Sequence, residues 1–158
     1  MPLSHLAQLA ALLAVVGNGV VYGTDVFCAI VLRPALAQVD DRALSAVSGF
    51  VHRYGDRRMP VPGVLGVAMA AISAVFAALA AQWTQAISAG VAVVLLVAWL
   101  LLYLRVSAPI NRKLTAAADD GRVLPNLRAL QADWDRIIDA RALLQGLALV
   151  ALCLAMIA

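Results

Sequence analysis

Four stretches of this chain are apolar for long enough to cross a bilayer, and almost every charge lies between them. They cover approximately residues 6–32, 62–81, 86–104 and 140–158. A hydrocarbon layer of about 30 Å takes roughly 20 helical residues. Runs such as Gly90-Val-Ala-Val-Val-Leu-Leu-Val-Ala-Trp and Ala142-Leu-Leu-Gln-Gly-Leu-Ala-Leu do not alternate apolar with polar positions. Alternation is what a membrane barrel requires, and a helix is the other structure that satisfies its backbone in lipid. The pattern predicts an all-α integral membrane four-helix bundle, a single four-span domain over residues 1–158. The first stretch has no basic region before it and continues past Gly17-Asn18-Gly19, so it reads as a retained span rather than a signal peptide.

The polar loops carry helical patterning of their own. From Val39 to Tyr54, the residues Val39, Ala43, Ala46, Val47, Phe50 and Val51 recur at helical spacing, which predicts an amphipathic helix continuing from span one. Met59-Pro60-Val61-Pro62 ends it and restarts the chain at the head of span two. In the second long loop a short helix from Asn111 is expected to break at Asp119-Asp120-Gly121. Pro125-Asn126 then starts a helix running from Leu127 into span four.

Composition agrees: 64% of residues are hydrophobic and 13% charged, with a mean hydropathy of +0.92, whereas a soluble domain carries about 25% charged residues. The net charge of +3 comes almost wholly from arginine, Lys113 being the one lysine, and every acidic residue is Asp. Arg33, Arg42, Arg53, Arg57 and Arg58 lie between spans one and two. Arg105, Arg112, Lys113, Arg122, Arg128 and Arg136 lie between spans three and four. The Gln82-Trp83-Thr84-Gln85 turn and both termini have no basic residue. The positive-inside rule places both basic loops in the cytoplasm and both termini outside, as in a bacterial inner membrane. Charge gathered at a membrane face does not point to nucleic acid. Cys28 and Cys153 fall in apolar spans and read as small core residues.

The informative residues are the polar ones inside the spans. Asn18, Tyr22 and Asp25 stand at i, i+4 and i+7, hence on one helix face. A carboxylate at that depth costs about 2.5–3.5 kcal/mol unless paired or hydrated, so Asp25 should face inward. Gly19 and Gly23 beside it form a Gly-x-x-x-Gly pair that would let a neighbouring helix approach. Trp134, Ile138, Arg141 and Gln145 make a second stripe, in which Arg141 is the natural partner for Asp25. A structural ion pair fixing helix register is the plain alternative to chemistry there. His52 and Asp56, at i and i+4, are either a hydrogen-bonded interfacial pair or, with Asp25, an incomplete metal site. Asp133, Asp135 and Asp139 read as a solvated face pairing with Arg136, and Trp83, Trp99 and Tyr103 as interfacial anchors or packing residues.

Several of these features recur in order. They are Asp25 followed by apolar residues and Arg33-Pro34, then His52, Met59-Pro60, Ala108-Pro-Ile-Asn-Arg-Lys-Leu, Asp133-Trp-Asp-Arg and Arg141. In this arrangement the chain resembles the anthrone oxygenase-like family of small four-span membrane proteins. The resemblance implies oxidation of an anthrone-type phenolic polycycle by molecular oxygen, with no flavin, haem or nucleotide motif. It implies catalytic roles for Asp25, His52 and Arg141, and substrate contacts for Asn111 and Trp134; Asn18 and Tyr22, on the polar stripe of span one, are the further candidate substrate contacts. Many relatives carry a His shortly before the last Arg where this chain has Ile138-Asp139, which separates membership from activity. The implied partners are the bilayer, a lipophilic small molecule with oxygen, and a second copy of the chain. The competing class is a non-catalytic membrane component, such as a small-molecule binder or accessory subunit.

Overall fold

The computed structural model describes residues 2–157, and the chain forms the all-α four-span bundle that the apolar runs predict. Helix α1 (Leu3–Phe27) passes through a π-helical turn (Cys28–Leu32) into α2 (Arg33–Leu36). There follow α3 (Asp41–Arg58), α4 (Pro60–Leu79) and α5 (Trp83–Leu102), a second π-helical turn (Tyr103–Ser107), α6 (Ala108–Asp119) and α7 (Leu127–Ile157). The four segments long and apolar enough to span are Leu3–Leu36, Pro60–Leu79, Trp83–Asp119 and Leu127–Ile157. The helix expected from Leu127 into span four is α7. The helix expected to begin at Asn111 begins instead at Ala108, running on from span three.

Both π turns abut a proline, Pro34 and Pro109. A proline ring has no N–H to donate and collides with the carbonyl one turn back, and a widened turn accommodates it. Arg33 N–H accordingly reaches Cys28 O, and Ala108 N–H reaches Tyr103 O, both five residues back.

The chain divides into two compact units. The first holds the residues up to Gly23, Val61–Trp99 and those from Leu143 onward. Its core is made of small side chains, Ala14, Ala70, Ala92 and Ala148, with Leu96 and Leu152. The backbones of α1 and α4 touch: a Cβ on Gly17 would lie 2.8 Å from both Gly66 N and Pro62 O. Ser73 Oγ donates to Ala7 O at 2.9 Å across the same pair. Close approach through small residues is how helices associate where lipid offers no hydrophobic drive. The glycine responsible is Gly17, not Gly19 or Gly23, which meet nothing within 4 Å because they lie on other faces of α1.

The second unit holds Thr24–Pro60 and Leu100–Ala142, around Cys28, Leu44, Ile110, Leu114, Leu130 and Ile138. Helix α3 does not continue from span one. The chain breaks after Leu36, and Asp40 restarts it by accepting Ala43 N–H at 2.8 Å. The buried face of α3 is Leu44, Ser45, Ser48, Gly49 and His52, while Val47, Phe50 and Val51 point outward. Small and hydroxylated residues allow α6 to come close, so that a Cβ on Gly49 would sit 2.7 Å from Leu114 O. The apolar stripe is thereby left exposed. Cys28 is core as expected, whereas Cys153 faces outward.

Candidate functional site

Asp25 and Arg141, brought together from the first and last spans, form a buried pair with Nη2 2.7 Å from Oδ1. Asp25 is 3% exposed and Arg141 6%. Arg141 Nη1 donates to Ser107 Oγ at 2.8 Å. Its guanidinium lies over two rings, 5.5 Å from the centroid of Tyr103 and 5.7 Å from that of Trp134. A charge removed from water is thus met by a carboxylate, a hydroxyl and two π faces, which is the condition for a buried arginine to persist.

The network continues outward through the same unit. Trp134 Nε1 donates to Asn111 Oδ1 at 3.0 Å, and Asn111 Nδ2 donates to Asp56 Oδ1 at 2.9 Å. Tyr103 OH donates to the same carboxylate oxygen at 2.8 Å. Asp56 therefore binds Tyr103 and Asn111. His52 stacks obliquely on Trp134, with ring centroids 5.4 Å apart and planes at 50°. Burial lowers the His52 pKa to about 4, Arg141 adding to the effect and Asp56 opposing it. Its imidazole is neutral at neutral pH, with a nitrogen lone pair available.

His52, Ser48, Gln131, Trp134 and Cys28 line a small chamber of about 10 Å³. Ser48 Oγ donates to Gln131 Oε1 at 3.2 Å, and Gln131 Nε2 donates to Asp135 Oδ1 at 2.9 Å. The Asp face of α7 is not a set of partners for Arg136. Only Asp133 pairs with it, at 3.0 Å, while Asp139 reaches Arg33 at 2.9 Å. Among the described residues, no group of three or more His, Cys or Asp side chains is placed to hold a metal ion.

Of the residues singled out in the sequence, Asp25, His52, Asn111, Trp134 and Arg141 are joined in the second unit. Asn18 and Tyr22 belong to the first. There Asn18 Nδ2 donates to Gln145 O at 3.1 Å, and Tyr22 packs on Gly146. All four members of the Trp134, Ile138, Arg141, Gln145 stripe are buried. Sequence reasoning missed Ser107, and it read Tyr103 as an interfacial anchor or packing residue rather than a member of the site. Their signal was present, since Tyr103, Ser107 and Asn111 recur every four residues.

No protein-family model, no curated protein and no solved structure matches this chain.

Proposed function

We propose that this membrane protein is an oxygenase for a lipophilic phenolic polycycle of the anthrone type, with His52 as its base. The observation that carries this reading is His52 itself, a neutral imidazole lining a chamber beside Trp134 and the Arg141 network. His52 takes a proton from the carbon that the substrate's carbonyl acidifies, and Asp56 stabilises the imidazolium that forms. The electron-rich carbanion gives its electrons to molecular oxygen, and a carbon–oxygen bond forms. The resulting hydroperoxide loses water to leave a ketone, so one oxygen atom enters the product and the other leaves as water. Arg141 supplies charge for the developing oxyanion, with Asp25 orienting it. Asn111, engaged at both ends of its amide, positions Trp134 and Asp56.

Oxygen uptake by purified protein with a panel of hydroxyanthrones tests the activity. Wild type should consume one oxygen per ketone formed, His52→Ala should abolish turnover, and Arg141→Lys should lose most of it because the two-pronged donor geometry is gone. A wild type that consumes no oxygen with any member overturns the oxygenase reading. One observation favours the second reading, a non-catalytic component. The chamber of about 10 Å³ has room for about one water and none for a polycycle.

The same proposal orients the chain with both basic loops cytoplasmic. In a variant lacking Cys28 and Cys153, cysteines introduced at Arg42 and Arg122 should be labelled from the cytoplasmic side, and one at Thr84 only from outside. Reversed accessibility overturns the orientation.

A further inference from the structure

At the polar end of span one, a groove of about 510 Å³ runs between residues 29–37 and the first turns of α7. Ile30, Arg33, Arg128, Gln131, Ala132 and Asp135 are among its lining residues. The order of these side chains along the span carries the inference. Ile30, 67% exposed, lies one turn deeper than Arg33. Arg33 sits level with Asp139, to which its Nη1 is bonded at 2.9 Å. Asp135 stands one turn of α7 shallower than Asp139, about 6 Å along the axis. From the apolar interior outward the groove therefore presents hydrocarbon, then a cation, then a carboxylate. A phospholipid with an amine headgroup presents acyl chain, phosphate and ammonium in that order.

Both hydrogen bonds of Arg33, to Asp139 Oδ2 and to Asp135 O, are made by Nη1, which leaves Nη2 and Nε for a second anion. Asp139 is 65% exposed in its side chain, so its hold on Arg33 is that of a weak surface pair. Arg128 is already committed, to Asp41 Oδ1, Val39 O and Leu36 O, and closes the outer rim. Asp135 accepts from Gln131 Nε2 through Oδ1 only, leaving Oδ2 to the groove. We infer that this groove is a binding site for the headgroup of phosphatidylethanolamine. Arg33 takes the phosphate, Asp135 takes the primary ammonium, and Ile30 meets an acyl chain. A primary ammonium gives Asp135 charge-assisted N–H donors that a choline headgroup lacks, and an anionic headgroup offers Asp135 no cation at all. The groove adjoins the His52 chamber and shares Arg33, Leu36, Gln131 and Asp135 with its lining, but the lipid assignment does not rest on the oxygenase reading.

Native mass spectrometry of delipidated protein in detergent, with defined lipids added back, tests the assignment. Phosphatidylethanolamine should be retained as a one-to-one adduct at least tenfold better than phosphatidylglycerol and severalfold better than phosphatidylcholine. Asp135→Asn keeps the side-chain size and the acceptor for Gln131, and should bring ethanolamine retention down to that of choline. Ala132→Phe, which fills the groove without touching a charge, should remove the adduct with every lipid. Equal retention of the three lipids by wild type, or an undiminished ethanolamine preference in Asp135→Asn, overturns the proposal. Displacement of the lipid by soluble phosphoethanolamine at equal concentration would assign the groove to a free phosphate ester and overturn it as well.

Discussion

Replacing Asp25 with Asn keeps the side chain's size and withdraws the carboxylate charge bonded to Arg141. The guanidinium, 6% exposed, cannot recover by moving into water. Breaking a buried pair by removing one partner costs about 3–5 kcal/mol. Arg141 would retain Ser107 at 2.8 Å and its two aromatic faces, which places the loss near the lower end, at about 3 kcal/mol. For a chain of this length that corresponds to a fall of about 6–12 °C in thermal midpoint. Midpoints in detergent, followed by far-ultraviolet circular dichroism, provide the assay. The double variant Asp25→Leu/Arg141→Met leaves no charge stranded and should recover most of the loss, since apolar replacements of buried pairs are often neutral. A single-variant midpoint that moves by no more than about 2 °C, the size of a surface change, would refute the reasoning.

Gly17→Ala should lower the midpoint severely, because its Cβ would meet two backbone atoms of α4 that cannot move without parting the helices. Gly19→Ala, with nothing within 4 Å, should hold or raise it. Equal effects would show that α1 and α4 are not packed through Gly17. The His52 pKa is depressed from 6.5 to about 4 on folding, so the folded state binds fewer protons there than the unfolded. Its contribution is fully present above about pH 6.5 and is lost as pH falls to about 4, amounting to about 3 kcal/mol at the low-pH limit. His52→Gln should flatten this part of the stability–pH profile, and a wild-type minus variant difference that stays constant across the window would show that His52 is not buried neutral.

Much of the architecture is legible in the order of residues. Apolar length alone selects four helices, and the break at Pro125-Asn126 places the start of α7. The Asp25–Arg141 pair is legible because few alternatives exist: a carboxylate on an inward stripe of span one needs a cation, and Arg141 is the arginine on the inward stripe of span four. The rest of the site depends on how each helix is rotated about its axis. The pattern of α3 marks an amphipathic helix without saying which face is buried, and packing against α6 at Gly49 turns Ser45, Ser48 and His52 inward. Rotation about a helix axis changes no local hydrogen bond, so nothing in the sequence near α3 records it.

What the sequence by itself determined is therefore what depends on transfer from water: which segments are helical and apolar, where the charges gather, and that Asp25 must be paired. What only the tertiary structure decided is which faces meet. The proline-linked π turns at Cys28–Leu32 and Tyr103–Ser107 each take an extra residue into a turn and shift the helical phase beyond them by about 100°. That shift carries into the helices that follow, so the meeting of Tyr103 and Asn111 on Asp56, and of Arg141 with Ser107, depends on it. These contacts join residues 34 to 55 positions apart and follow from close packing at glycine and alanine, a property of paired surfaces rather than of any single segment.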